Sequence, residues 1–402
     1  MKKLSGFIWN IWKTTRTLKI LLVCELISQS LELNRKTEIE GDSSHNFQMG
    51  VVPFIYMDYT CICSCIIVSV RQKDFLQYDL VHKGALLMKY IELGQTGIRV
   101  SRLCFGGLII GPLQVNLPVK QGAEVIKKAL ELGVNFIDTA ELYGTYAHIR
   151  EAIKGISQKP VISTKCYAYT AEGARESVEK ARRELDIDVI DIFMMHEQES
   201  RLTLKGHRAA LEYYLDAKAK GIIRAVGVST HNIEVVEACA EMPEIDVIHP
   251  LVNKAGIGIG DGTVEEMLAA IKKAYENGKG IFSMKPLGGG NLLPSYKECM
   301  DFVLGIPYIH SVAVGMQSID EVIMNVKVFN GEKVPEEVQA ALRKKHRKLH
   351  IDYWCEGCGK CVMRCGQGAL SIVDGKAVPD REKCVLCGYC GSACPQFAIK
   401  IN

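Results

Sequence analysis

Eight of the 16 cysteines in this 402-residue chain fall between Cys355 and Cys394. They form two copies of one pattern: Cys355, Cys358, Cys361 and Cys365, then Cys384, Cys387, Cys390 and Cys394, with Pro395 following. The spacing C-x2-C-x2-C-x3-C, given twice, suits two [4Fe–4S] clusters, the fourth cysteine of each run ligating the other cluster. Three close thiolates can cover one face of a cubane, and its fourth corner needs a ligand from a distant part of the chain. A disulfide scaffold does not suit a tail joined to a large chain with no clear secretory signal. Structural zinc usually takes two C-x2-C pairs, whereas each run here sets three cysteines and a fourth at fixed spacing.

A second set of reactive side chains lies upstream. Asp138, Lys165 and His196 each close a short apolar run, 27 and 31 positions apart, and Tyr143 follows Asp138 closely. Together they are what reduction of a carbonyl needs. Hydride addition builds negative charge on oxygen, so a nearby acid must supply a proton. A phenol, with its ordinary pKa of about 10, becomes a better acid beside a lysine ammonium that an aspartate keeps charged. A neutral histidine can donate a hydrogen bond to the same oxygen. Taken singly, Asp138 and Lys165 read as a structural ion pair, Tyr143 as a rim aromatic and His196 as a strand-end histidine.

These residues must be positioned by something, and the chain from Tyr90 supplies it. Short apolar runs alternate with amphipathic stretches: 102–106 then 119–132, 135–140 then 147–155, 160–165 then 171–185, 189–196 then 208–220. The series continues with 224–229 then 233–242, 246–251 then 264–277, 280–285 then a helix near 298–304, and 310–315 then 319–329. Met267, Ile271 and Ala274 fall at helical spacing, with Lys272, Lys273 and Glu276 on the other side. Eight such units in about 240 residues predict an α/β fold of the (β/α)8 TIM-barrel type. A doubly wound sheet would want a Gly-rich phosphate loop after its first strand, and none is convincing. In a barrel the strand ends share one face, which brings Asp138, Tyr143, Lys165 and His196 together.

The local sequence around these residues resembles the aldo-keto reductases over about Tyr90 to Asn325. The resemblance rests on Asp138-Thr-Ala-Glu-Leu-Tyr143-Gly, Ser163-Thr-Lys165, Met-Met-His196-Glu, Gly227-Val-Ser229 and Pro286-Leu-Gly-Gly. It implies Tyr143 as the acid, tuned by Lys165 and Asp138, with His196 orienting the carbonyl. It also implies a nicotinamide site near Ser229, Thr230 and His249 and at Lys285, which closes the seventh strand. Thr230 stands where the family has Asn, and His249 near its Gln. The adenosine-phosphate site is expected at Gly315, Met316 and Ser318, with Glu321 and Asn325 in the following helix, whose start offers free N–H groups. No Arg or Lys occurs there before Lys327, so NADP and NAD both remain open. The tail, 351–402, resembles a small α+β two-cluster bacterial ferredoxin; Gly366 replaces a proline usual after the first run and removes no ligand.

The net charge of +3 points away from nucleic acid. One basic run, Arg343 to Lys348, reads as a solvated helix face in a helical linker over 331–350; its alternative is docking to an acidic redox partner. Residues 1–87 lack a clear period, and their apolar stretches 18–31 and 51–70 are broken by Glu25, Pro53 and Asp58. Neither makes a clean membrane span. Domain-like patterning starts at Met88, so 1–87 is expected to be an extension that is not natively translated, with the barrel covering 88–330. The expected protein is a cytoplasmic, nicotinamide-dependent oxidoreductase acting on a small carbonyl compound, its clusters exchanging electrons with a redox partner. The competing reading is an electron-transfer or binding protein with a catalytically silent barrel. Cys166, Met194 and Met195 are expected to pack in the core.

Overall fold

The computed structural model describes residues 88–402, so the expectations for the extension 1–87 lie outside the described residues. The barrel and the cysteine-rich tail belong to one compact unit. The first feature is a hairpin that periodicity did not reveal: β1 (Tyr90–Glu92) pairs antiparallel with β2 (Arg99–Ser101). Gly94 and Gly97 turn it with positive φ. Its apolar side chains Leu93, Ile98 and Val100 are fully buried against Phe136, Ile192, Met194 and Phe282 of the barrel interior. The hairpin therefore seals the floor of the barrel.

Eight parallel strands then close on themselves: β3 (Leu103–Gly106), β4 (Phe136–Asp138), β5 (Val161–Cys166), β6 (Ile190–Gln198), β7 (Ile223–Thr230), β8 (Val247–Pro250), β9 (Gly280–Met284) and β10 (Ser311–Gly315). Closure comes from β10 pairing with β3, Val312 opposite Leu103. The eight-unit expectation is met, with boundaries shifted by a few residues. The outer layer includes α1 (Val119–Glu131), α2 (Tyr146–Ile153), α3 (Ala171–Leu185), α4 (Arg201–Gly206), α5 (Arg208–Ala219), α6 (Ile233–Glu241), α7 (Val264–Glu276), α8 (Tyr296–Leu304) and α9 (Ile319–Phe329). The helices α3 and α9 match their expected bounds, and each carries a clear start signal. Thr170 caps α3 by accepting from Gly173 N–H, and Ser318 caps α9 by accepting from Glu321 N–H. Alternation along the strands sends Met194 inward and Met195 and Cys166 outward into the strand–helix core, where the Cys166 thiol meets the Tyr214 hydroxyl at 3.1 Å.

The basic linker differs from expectation. The helix α10 (Glu336–Arg343) ends where the basic run begins, and 344–348 are not helical. Two forces favour this: adjacent like charges repel on one helix turn, and a buried carboxylate attracts them elsewhere. Lys345 and Arg347 fold back to Glu321 at 2.8 and 3.2 Å.

The tail uses little regular structure. Its β11 (Leu349–Ile351) pairs antiparallel with β14 (Ile399–Ile401), and β12 (Leu370–Val373) with β13 (Lys376–Pro379). Single helical turns α11 (Lys360–Arg364) and α12 (Tyr389–Ser392) carry the third cysteine of each run. The tail lies tightly on the loop after β9. A Cβ on Gly290, which has φ 87°, would run into the Ile401 carbonyl, and the Asn291 amide donates to Ile399 O at 2.9 Å. Among the described residues no helix is long and apolar enough to cross a membrane.

Candidate active site and iron–sulfur centre

The ends of β4, β5 and β6 bring the expected polar groups to one mouth of the barrel. Lys165 Nζ donates to both Asp138 carboxylate oxygens at 2.8 Å and to Thr139 O at 2.9 Å, with both side chains buried. Burial alone would push the Asp138 carboxyl up, but Lys165 and His249 outweigh it and hold it at about 2. Tyr143 follows on a single turn after β4, its ring 5.0 Å from Lys165 Nζ and 5.6 Å from the His196 ring. The expected lowering of the phenol does not appear in this arrangement. Burial first, then Asp138, Glu197 and Tyr167, push it well above the ordinary tyrosine value. The lysine is turned toward Asp138 and Thr139, so the phenol keeps its proton.

His196 sits where the β6 register slips, next to Glu197 with φ 44°. Burial, then Lys165, lowers its pKa to about 3, so the ring is neutral. It stacks on Tyr167 at 4.3 Å, and Tyr167 donates its hydroxyl to Glu197. Sequence reasoning missed Tyr167, although it stands two positions after Lys165, the spacing that shares a strand face.

One cavity of about 180 Å³ joins this mouth to the far side of the barrel. Asp138, Tyr143, His249, Lys285, Gly315, Glu321 and Asn325 all line it. Four of the expected cofactor contacts, two at the nicotinamide site and two at the adenosine-phosphate site, have other occupations. Ser229 Oγ accepts the Glu197 N–H at 2.9 Å, Thr230 Oγ1 donates to Gln198 O at 2.7 Å, Ser318 caps α9, and Met316 is buried in the core. His249 Nδ1 donates to Phe282 O at 2.6 Å, and its Nε2 stands 3.6 Å from Asp138. Asn325 is buried, accepting from Tyr296 OH at 2.9 Å and donating to Glu321 O at 2.7 Å. Gln114, Arg347, Lys400 and Ile401, from segments distant in sequence, also line the cavity. No local signal marks Gln114, Lys400 or Ile401, whereas Arg347 belongs to the basic run. The cation sought near Gly315 arrives instead from the linker, as Lys345 and Arg347 on Glu321.

The profile of the aldo/keto reductase family matches residues 102–303, half of the chain. The chain belongs to that family. An L-galactose dehydrogenase of Arabidopsis thaliana is 23% identical over 276 residues, covering 58% of this chain and 86% of its own length. Aldo-keto reductase YhdN of Bacillus subtilis is 29% identical over 182 residues, covering 41% and 54%. The aldo-keto reductase AKR11C1 of Bacillus halodurans, in its holo form, shares the fold. It has a TM-score of 0.52 and 21% identity, over 64% of this chain and 96% of that one. A 4Fe-4S binding domain matches residues 377–400 of the reductase tail, spanning the second cysteine run.

All eight cysteines of the tail are free. A small cavity there is lined by Cys384, Cys387 and Cys390 together with Cys365, the fourth cysteine of the other run. Cys361 in turn lies within electrostatic reach of Cys394 and Cys355. Backbone N–H groups of Ala377, Ala369 and Ala398 point at the sulfurs of Cys355, Cys365 and Cys394 at 3.3–3.4 Å, a donor set suited to thiolates.

Proposed function

We propose that the protein is a cytoplasmic iron–sulfur oxidoreductase that reduces a small aldehyde or ketone with a nicotinamide cofactor and exchanges electrons through two [4Fe–4S] clusters. The observation that carries the reading is the buried Asp138–Lys165 pair beside Tyr143 and His196, opening into one cavity with Glu321 and Asn325. A bound nicotinamide would supply the hydride, with both electrons of the reduction, and the clusters would exchange electrons singly with a redox partner. The chain's own residues do the rest. His196, neutral, orients the carbonyl oxygen by a hydrogen bond from its ring. Tyr143 gives its phenolic proton to that oxygen as negative charge builds there, so carbonyl, hydride and proton become an alcohol. Lys165, paired with Asp138, stabilises the phenolate left behind. Glu321 and Asn325 would hold the adenosine end of the cofactor. Cys355, Cys358, Cys361 and Cys394 would hold one cluster, and Cys384, Cys387, Cys390 and Cys365 the other.

A barrel that binds without turnover is the second reading, favoured by the Ser229 and Thr230 hydroxyls already engaged with backbone. Anaerobically reconstituted protein separates the two. The first reading expects NADPH or NADH oxidation with at least one of a panel of small carbonyl compounds, and about eight iron and eight sulfides per chain. Silence across the panel would leave the binding reading in place, and zinc or a single cluster would overturn the ligand sets.

A further inference from the structure

A histidine that must present one ring nitrogen is usually fixed by a hydrogen bond on the other. His196 lacks that support: its Nδ1 is buried, and no protein group among the described residues hydrogen-bonds to it. The ring is held by other rings instead. Tyr167 stacks on it with centroids 4.3 Å apart and planes 27° from parallel, and Tyr143 meets it edge-on at 5.6 Å. Tyr167 is itself 43% exposed, so packing alone does not hold it over the imidazole. Its anchor is the hydroxyl, which donates to Glu197 Oε2.

In an unbroken strand neighbouring residues point to opposite faces, so Glu197 would turn away from the side that His196 faces. The slip in β6 between Met195 and Gln198, with Glu197 at φ 44°, re-aims it. A left-handed glutamate persists only where its surroundings fix it, and such residues cluster at functional sites. Here Ser229 Oγ accepts the Glu197 N–H at 2.9 Å, and His231 stands 3.6 Å from the carboxylate. Burial opposes the charge on Glu197, but Lys285, His231 and His196 outweigh it and hold its carboxyl well below the usual carboxylate range. The carboxylate is therefore a standing acceptor, and the Tyr167 phenol, pushed up by burial and then by Glu197, a standing donor.

We propose that Glu197 and Tyr167 are positioning residues for His196: the carboxylate pins the phenol, and the pinned ring fixes the plane from which the imidazole reaches the substrate oxygen. This rests on the reading that His196 orients a carbonyl, and adds what orients His196. The register slip puts two adjacent residues of one strand on the same tyrosine, one at its ring and the other at its hydroxyl. Tyr143 touches the imidazole only edge-on, so the face contact with Tyr167 sets the ring plane.

The test is steady-state kinetics on the full, cluster-loaded chain, with NADPH or NADH and a small carbonyl compound that the wild type reduces, alongside NMR of the histidine rings. Glu197→Ala and Tyr167→Phe should each lower kcat about 10-fold while KM stays within about 2-fold, the mark of a group that has lost its aim rather than of a lost binding contact. The double variant should lose no more than the worse single one, because both changes cut one link. Glu197→Gln, whose amide oxygen still accepts the phenol, should recover most of the rate. The His196 ring signals, assigned with His196→Gln, should shift or broaden in Glu197→Ala and Tyr167→Phe and stay in place in Glu197→Gln. Iron content should be unchanged throughout. If Glu197→Ala is insoluble, Glu197→Gly, which takes φ 44° without strain, carries the comparison. Wild-type kcat and unmoved His196 signals in both Glu197→Ala and Tyr167→Phe overturn the proposal, as do losses that add in the double variant. Failure of the functional reading looks different: His196 signals that respond to both changes, with no carbonyl compound ever reduced.

Discussion

The barrel and the tail are held together by different physics. The barrel interior and its helical shell are filled by large apolar side chains, among them Phe105, Phe136, Phe193 and Phe282, all fully buried. The buried core of the tail is a small set, Leu349, Leu370, Ala377, Ala398, Ile399 and Ile401 with Cys355, Cys361 and Cys390. Its strands are three or four residues long. A few dozen residues of this kind bury too little apolar surface to fold without help, and metal ligation is a common remedy. The barrel thus makes its site by folding, whereas the tail completes its fold by making its site.

The strongest way to break that comparison is to strip iron and sulfide. Amide exchange should then show β11, β12, β13 and β14 losing their protection while α3 and β5 keep theirs; uniform loss would mean that the barrel too depends on the clusters. Next in size is Tyr143→Phe, expected to lower carbonyl reduction by roughly 10²–10⁴-fold with the iron content unchanged. Wild-type turnover in that variant would remove Tyr143 from the chemistry. Asp138→Asn leaves the Lys165 ammonium without its carboxylate in a buried place, and urea melts should show the barrel weaker by about 3–5 kcal/mol. Iron content should again be unchanged, because the tail has no share in that pair.

Acid sharpens the same contrast. His196 is held near 3 in the folded barrel, against about 6.5 when exposed. Between those values the unfolded chain binds the extra proton, so stability should fall as pH drops from about 6.5 toward 3. The His196→Gln variant should show a shallower fall over that window, and a parallel slope would mean that the ring is not buried neutral. The smallest effect belongs to the seam. Asn291→Ala removes donors to Gly288 O and Ile399 O, a loss of about 1–3 kcal/mol read as faster exchange in β14 with β5 unaffected.

What could be read in the sequence follows from the range of the forces involved. The strand and helix rhythm is local, so α3 and α9 were legible to the residue, and strand ends gave Asp138, Lys165 and His196 by topology. The cysteine spacing is local too, and the second run falls within the matched 4Fe-4S binding domain. The failures were long-range. The run from Arg343 to Lys348 was read as a free helix face because its partner, Glu321, is more than twenty positions away. Ser229 and Thr230 looked available because nothing in sequence reveals the bulge in β6 that claims their hydroxyls. Lys400 carried no signal at all, since its meaning depends on which loop the tail lies against.

The sealed floor of the barrel has a consequence for traffic. With Leu93, Ile98 and Val100 plugging one end, a molecule bound for Tyr143 enters by the mouth where Ile401 and Lys400 stand. Entry and exit therefore share one doorway, and the tail forms one of its doorposts.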